Sequence, residues 1–413
     1  MSRDILHRLR TELWQPPRAH GEIQRDRTVG HLELFYDLVV VVLVAQAADT
    51  LAAHLTARGL AQFAVVFTIV WIAWFNGTFL HELHGREDVR SRNSFLAQIL
   101  VLIPLSAYVP RAGDVHGRAF AVTAALLFLL IAFLWWRVSR ADTPEFARPT
   151  LLYVAATLSL AVGLAASAPL SADARLILWA TLAVLYLFSV VLVFSAVPGQ
   201  FDRTVAVTDA LIERFGLLVI IVLGESVTGV VSGLMTDPTN AHKLAVAVVA
   251  VLVGFGAWWT YFDFVGRRQP RNTRSGTIGW LFGHLPVSAA IAAMGATMPT
   301  LVGHATRHRA APFPTWVLCG GVVAVLVFTV VLMVSLQDWH RAAALLHPVA
   351  VANLVAAIVA GCLGFIRPSP LVLCILLVLT FGGPWVFAVL RRAALEVKAS
   401  ERPAAMSDGT AGP

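Results

Sequence analysis

Charged residues are scarce in this sequence. Asp, Glu, Lys and Arg together make up 13% of the 413 residues, whereas charged residues are about a quarter of a typical soluble domain. So few charges cannot cover a water-facing surface. The composition therefore excludes an ordinary soluble domain.

Cysteine is nearly absent as well. Its three positions, Cys319, Cys362 and Cys374, lie inside apolar stretches and have no paired spacing. This pattern excludes a disulfide framework or a cysteine metal site. We expect ordinary buried thiols, and neither a metal nor a cofactor.

The usual catalytic signatures are also missing. The sequence has no phosphate loop, dinucleotide fingerprint or zinc-protease motif. Gly224-Glu225-Ser226-Val227-Thr228 has threonine where the hydrolase elbow needs a second glycine. His81-Glu82-Leu83-His84 offers two histidines but no third ligand, so we interpret it as an interfacial loop. The sequence predicts that the protein is not an enzyme.

Apolar residues are what the sequence has in abundance. They make up 58% of the chain, and the mean hydropathy is +0.75. Because apolar runs long enough to cross a bilayer recur along the whole length, we predict an all-α polytopic membrane protein with about twelve transmembrane helices. They occupy residues 32–197 and 208–390, and the third, near 94–109, is short.

The two ends of the chain are more polar. Residues 1–31 form a cytoplasmic segment, in which apolar residues at helical spacing predict either a short interfacial helix or a solvated basic tail. Residues 393–413 are polar and predict a disordered cytoplasmic tail.

The net charge of +7 and the pI near 9.9 do not indicate nucleic acid, because the basic residues sit in short loops between apolar runs. With alternating spans and an inside N-terminus, 23 of the 31 lysines and arginines fall on the cytoplasmic side. This bias predicts a membrane protein with both termini on the cytoplasmic side. The lipid bilayer is its expected partner.

The two halves of the chain resemble each other. Glu33-Leu34-Phe35 returns as Glu213-Arg214-Phe215, and Ala73-Trp74-Phe75 returns as Ala257-Trp258-Trp259. A pair of prolines also brackets the fifth helix of each half. Since six is even, the halves are predicted to be parallel six-helix repeats, a common plan for transporters and some channels.

Eight strongly polar side chains fall within the first and seventh spans: Glu33, Asp37, Gln46, Asp49, Glu213, Arg214, Glu225 and Ser226. The candidates for a solute or ion pathway are Asp37, Gln46, Asp49, Glu213, Glu225 and Ser226. Glu225 is expected close to the bilayer midplane, where an ionised carboxylate costs about 2.5–3.5 kcal/mol on insertion scales. In the repeat, Ser226 corresponds to Gln46, so both halves place a polar group at mid-depth. We predict a solute or ion pathway, with a structural hydrogen bond between the halves as the alternative.

Asp37 and Glu213 lie nearer the cytoplasmic end, and Asp49 lies near the outer mouth. Ion pairs that fix helix ends are the alternative to a transport role for the first two, and Asp49 is either part of the pathway or simply solvated. His284 in the ninth span has a similar choice between proton handling and a satisfied hydrogen bond between helices.

Small residues follow one face of the seventh span. Gly229 and Gly233 have the GxxxG spacing that lets helices approach closely, and Gly224 extends the stripe. We expect helix packing here.

Two motifs resemble a known family. His31-Leu32-Glu33-Leu34-Phe35-Tyr36-Asp37-Leu38-Val39 and the run from Glu213 to Ser226 are similar to the two signatures of the bacterial low temperature requirement A family. The resemblance covers roughly residues 25–392 and implies a multi-span bacterial membrane protein, without a substrate. Tyr36 stands where the family pattern has phenylalanine. More loosely, Phe35-Tyr36-Asp37 resembles the phenylalanine-serine-aspartate signature of lysosomal-type potassium channels, which also place six-helix repeats around a pore.

Three functions therefore remain open. The first is a secondary transporter that moves a small solute or ion with Glu225 as its central acid. The second is a cation channel, in which a homodimer surrounds a pore with the first and seventh helices. The third is a non-transporting scaffold or cold-adaptation factor.

Overall fold

The computed structural model describes residues 16–20, 22, 28–86, 88–196 and 207–407, and nearly all of them are helical. Within these ranges, the one contact of β type is an isolated bridge between Pro270 and Leu336. The twelve long helices are α1 His31–Ala53, α2 Ala57–His84, α3 Val89–Tyr108, α4 Arg118–Ala141, α5 Pro144–Ala166, α6 Ala172–Ala196, α7 Asp209–Leu234, α8 Ala241–Phe264, α9 Arg274–Gly303, α10 Pro312–Val334, α11 Ala343–Ile366 and α12 Pro370–Ser407.

All twelve helices are long and apolar enough to span a bilayer. Even α3, with 20 residues, rises about 30 Å, the thickness of the hydrocarbon core. It starts earlier than expected because the Asp88 carboxylate accepts the Ser91 backbone N–H at 2.9 Å and caps the helix. The all-α architecture with twelve candidate spans is confirmed.

Two expectations are corrected. His81-Glu82-Leu83-His84 is the last turn of α2 and not a loop. The predicted disordered tail is helical as far as Ser407, because the residues after Arg392 include alanine, leucine, glutamate and lysine, which are strong helix formers. Residues 408–413 and the segment of the predicted interfacial helix lie outside the described residues.

Within each half, most helix contacts recur in the same order, but α8 also packs on α9 and no comparable contact joins α2 and α3 within the described residues. In the first half, α1 packs on α2 and α3, and the chain of contacts continues from α3 through α4 and α5 to α6, which returns to α2. In the second half, α7 packs on α8 and α9, and the contacts continue from α9 through α10 and α11 to α12, which returns to α8. The two-repeat organisation itself stays a prediction.

The helices that contact the other half do not occupy corresponding positions in the two halves. From the second half, α9 packs against α1, α2 and α6, and α7 packs against α1. In their most apolar stretches, α2 and α9 are also the most buried of the twelve helices. The first and seventh helices therefore meet beside the centre of the bundle, where the polar residues of both are brought together.

Candidate functional site

A buried ion-pair cluster joins the beginnings of α1 and α7. Arg214 is fully buried, and Glu33 and Asp37 are each 2% exposed. The Arg214 guanidinium donates from Nη2 to Asp37 Oδ1 at 2.6 Å and from Nε to Asp37 Oδ2 at 3.2 Å. Its Nη1 lies 3.5 Å from Glu33 Oε1. One cation thus holds two carboxylates that share a face of α1.

The remaining lone pairs of the two carboxylates are also used. Trp74 Nε1 donates to Asp37 Oδ1 at 2.8 Å, and the Gly30 backbone N–H donates to Glu33 Oε2 at 2.8 Å. His81 Nε2 lies 3.4 Å from Glu33 Oε1. A buried charge is tolerated when it is paired and hydrogen-bonded, and here both acids are. The cluster therefore has the features of an anchor between the halves.

The neighbouring acid, Glu213, does not take part in this cluster. Its side chain is exposed on the outer face of α7, whereas Arg214, one residue further on, faces α1. We did not predict Arg214 as a site residue. The signal that could have found it is an arginine inside an apolar span, opposite two acids spaced four residues apart.

Glu225 lies deeper along α7 and has a different environment. It follows Arg214 by eleven residues, a rise of about 16 Å. The residue is 8% exposed, and no hydrogen bond or ion pair to its carboxylate is found among the described residues. Its backbone abuts α9, since a Cβ added to Gly295 would lie 2.8 Å from the Glu225 carbonyl carbon.

The other polar residues at this depth come from α1 and from α7 itself. Asp49 is exposed, and its charge is close enough to act on Glu225. Asp49 follows Asp37 by twelve residues, a rise of about 18 Å along α1. Because Asp37 contacts Arg214, Asp49 and Glu225 lie at about the same height in the bundle. Gln46 is half-buried, and the buried hydroxyl of Ser226 has no hydrogen-bond partner among the described residues. The like charges of Asp49 and Glu225 thus act on each other, and neither carboxylate has an ion pair within the described part of the chain.

The glycines of α7 separate into two kinds. A Cβ on Gly229 would lie 2.5 Å from the carbonyl oxygen of Gly295, and one on Gly233 would lie 2.8 Å from Val302 Cβ. Both glycines therefore sit where the backbones of α7 and α9 meet. Gly224 is different: a Cβ there would meet nothing within 4 Å, which corrects the expectation that it packs against a helix.

His284 has both ring nitrogens occupied. Nδ1 is 2.6 Å from the Trp280 carbonyl oxygen, so it carries the proton and donates, and the Tyr261 hydroxyl donates to Nε2 at 2.9 Å. The ring is fully buried between α8 and α9. This arrangement is the satisfied hydrogen bond between helices and offers no free position for proton transfer.

The described residues contain no group of three or more His, Cys, Asp or Glu side chains placed to hold a metal ion. All three cysteines are free thiols, and Cys362 is exposed while the other two are buried. The chemistry available around Glu225 is therefore that of carboxylates, hydroxyls and an amide. Such groups can bind protons or small cations.

Comparison with known proteins gives two matches. The model of a family described as bacterial low temperature requirement A protein (LtrA) matches residues 28–380, which include every residue of the site. A protein of Rhizobium meliloti (strain 1021), described as uncharacterized, is 26% identical over 272 residues, or 63% of this chain and 66% of that protein. The match thus spans just under two thirds of the relative's length.

Proposed function

The chain belongs to the bacterial low temperature requirement A (LtrA) family, and we propose that it moves a small solute or ion across the cytoplasmic membrane, with Glu225 in the pathway. The excess of basic residues on one side of the spans supports the cytoplasmic membrane as the location of the protein and a cytoplasmic position for both termini. The proposed activity is transport without covalent chemistry.

The proposal rests on the difference between Glu225 and the two buried acids of the Arg214 cluster, Glu33 and Asp37. Asp37 and Glu33 are compensated by Arg214 and hydrogen bonds, as a structural charge must be. Glu225 is nearly as buried but has no such partner among the described residues, and the charge that acts on it, on Asp49, has the same sign. Since an uncompensated carboxylate is costly inside a membrane, its place is explained by a proton or cation that binds there in turn.

The position of this acid also fits a pathway between the halves. Glu225 lies on α7, where α7 meets α9, and Asp49 lies on α1, which packs against both helices. The common order of neighbours in the two halves supports parallel repeats, an arrangement in which a path forms between them. In the mechanism we propose, the Arg214 cluster fixes one end of α1 against α7 while a cation or proton passes the acids at the other level.

The experiment is flux into proteoliposomes that contain the purified protein and a trapped pH-sensitive dye, with imposed gradients of protons, Na⁺ or K⁺. We expect wild-type flux above that of empty vesicles, and at least a tenfold loss in Glu225→Gln, which keeps the shape but not the charge. Glu145→Gln, at an exposed position in the first turn of α5, is the control and should transport normally. Unchanged flux and pH dependence in Glu225→Gln would refute the role of Glu225.

A cation channel formed by a homodimer is the second candidate, and one observation favours it. Besides packing on each other, α1 and α7 both keep exposed apolar residues at the level between the two acidic sets: Leu38 and Val42 on α1, and Ile220 on α7. A second copy placed over this face would line a pore with an apolar constriction. Other apolar residues in the same two stretches are buried, including Val40, Leu43 and Val222.

Single-channel recording and mass measurement in detergent separate these candidates. A dimer with discrete currents above carrier rates supports the channel, whereas a monomer with slow, saturable flux supports the carrier. A scaffold or cold-adaptation factor predicts a third outcome, in which Glu225 and Asp37 variants change only stability or assembly.

A further inference from the structure

A cavity lies at the end of the bundle where α1 begins. It has a volume of about 60 Å³, is partly open, and is lined by the end of α2, the start of α3, the end of α4 and the residues Pro16 and Pro17. At about 10–15 Å³ for each water-sized position, it has room for about four to six such groups, enough for the four oxygens of one phosphate. We refer to it as the arginine pocket, after Arg86, Arg90 and Arg137 in its wall.

The charge of the arginine pocket is predominantly positive. Arg90 on α3 and Arg137 on α4 are close enough to repel each other. The acid in the wall, Asp88, caps α3 through its bond from the Ser91 N–H, and its charge also acts on Arg90 and offsets part of the repulsion between the two arginines. Arg86 already binds Glu22 at 2.9 Å, whereas Arg137 makes no ion pair or hydrogen bond among the described residues. Two neighbouring arginines attract an anion that accepts hydrogen bonds from both, such as phosphate.

Part of the pocket wall is apolar. Leu80, Phe95, Leu134 and Val138 line it on the side of the spans. A ligand that fits both parts of the pocket therefore has an anionic group attached to a hydrocarbon body.

The surface next to the pocket has the character of a membrane–water interface. On the outer face of α4, Phe133 and Trp136 are exposed and stack on each other. The guanidinium of Arg137 lies 5.9 Å from the Phe133 ring, and that of Arg140 lies 5.7 Å from the Trp136 ring. Aromatic rings with cations above them mark the level of lipid headgroups.

The pocket also reaches the residues that hold α1. His81 lines it and contacts Glu33, and Gln98 lines it and accepts the Tyr36 hydroxyl at 3.4 Å. An anion in the pocket would therefore touch the supports of the Arg214 cluster and stabilise the docking of α1.

We propose that the arginine pocket binds the phosphate of an anionic phospholipid headgroup. Basic pockets between transmembrane helices recognise such headgroups through their charge, and the apolar wall accommodates the adjoining acyl region. This site is separate from Glu225 and does not depend on the transport proposal.

The test is thermal stability and native mass spectrometry of the purified full-length protein with phosphatidylglycerol, phosphatidylcholine or inorganic phosphate. We expect phosphatidylglycerol to raise the melting temperature and remain bound, and the other two to have little effect. The double variant Arg90→Gln/Arg137→Gln should bind it at least tenfold more weakly, because each charge-assisted contact contributes strongly. Arg137→Lys keeps the charge and should lose less.

The control is Arg111→Gln, at an exposed position at the opposite end of the bundle, which should bind as the wild type does. Equal binding of phosphatidylglycerol and phosphatidylcholine would overturn the proposal, as would unchanged binding in the double variant. Equal protection by inorganic phosphate would assign the pocket to a free anion instead. Should the double variant not fold, the comparison of Arg137→Lys with wild type across the same ligands decides.

Discussion

At the scale of single residues, the buried acids have two different environments. Asp37 lies against a bidentate arginine and an indole N–H, so its charge is compensated in both oxygens. Glu225 has none of these partners. The difference explains why we assign the first set to stability and the second to function.

The Arg214 cluster gives the first prediction. Arg214→Gln leaves two buried carboxylates without a cation, and breaking a buried pair in this way costs about 3–5 kcal/mol. The variant should therefore melt at a much lower temperature in detergent than the wild type. The double variant Asp37→Asn/Arg214→Gln removes both charges and should recover part of that loss. Wild-type melting of Arg214→Gln alone would contradict the anchoring role.

The sequence alone does not show how a helix is oriented about its own axis, and this limited the predictions for single residues. The motif around Glu213 and Arg214 identified the right turn of α7, but these neighbours point about 100° apart. Which of them faces α1 depends on how α7 packs against α9, and a local sequence does not contain that information. Glu213, a candidate for the pathway, faces outward, and Arg214 faces inward.

At the scale of helices, the contact between α7 and α9 depends on backbone approach. Gly229 meets the carbonyl of Gly295 on α9, where even one methyl group has no space. Gly224, five residues earlier, faces open space on the same helix. The two glycines provide a matched pair.

We predict opposite effects of alanine at these two positions. Gly229→Ala must push the two backbones apart and should lower the melting temperature. Gly224→Ala should be tolerated or stabilising, because alanine is about 1 kcal/mol more favourable than glycine in a helix. Melting curves of both variants in the same detergent test this, and equal loss in both would contradict the packing account.

The segment before α1 is held by a carboxyl outside the spans. Asp142, which follows α4, accepts the His20 backbone N–H at 3.1 Å and contacts the His20 ring. Desolvation acts to raise the pKa of the Asp142 carboxyl, but its contacts with His20 and Thr143 outweigh it and hold the pKa below the ordinary value. The carboxylate therefore stays charged down to acidic pH, and its contribution to docking is lost only as pH falls through that lowered pKa.

The third prediction follows from this sign. Measured relative to the cleavage of an unstructured peptide at the same pH, which corrects for the lower activity of trypsin in acid, cleavage after Arg18 should be slow and unchanged between pH 7 and pH 5 in the wild type. Asp142→Asn weakens the bonds to His20 and should speed cleavage severalfold at both values. Cleavage of the wild type that accelerates between pH 7 and pH 5 would show that another group controls the segment.

The helices themselves were largely predictable, because an apolar run of sufficient length in hydrocarbon has few alternatives to a helix. Their ends were not. α2 continues through His81 and His84, and α12 continues past Arg392, since polar residues with good helix propensity extend a helix beyond the apolar boundary. Hydropathy records where the hydrocarbon begins, and the hydrogen-bonded backbone does not have to end there.

At the scale of the whole molecule, the chain is a bundle of twelve helices with two halves of similar neighbour order and an unequal interface. The count followed from sequence, but the interface did not: α9 reaches three helices of the first half, whereas α3, the helix that would match it in a repeat, contacts helices of its own half. Loop lengths and apolar patterns do not specify which helix becomes central.

The account as a whole depends on an aqueous path to the level of Glu225. A thiol reacts with a charged, membrane-impermeant reagent as thiolate, which forms in water and not in hydrocarbon. The measurement is therefore the labelling of Glu225→Cys in membrane vesicles, after Cys319, Cys362 and Cys374 have been replaced by alanine. Ile358→Cys, at an exposed apolar position in the middle of α11, is the control that faces acyl chains. We expect position 225 to be labelled and position 358 not to be. A folded Glu225→Cys protein that is not labelled would contradict an aqueous path to this level.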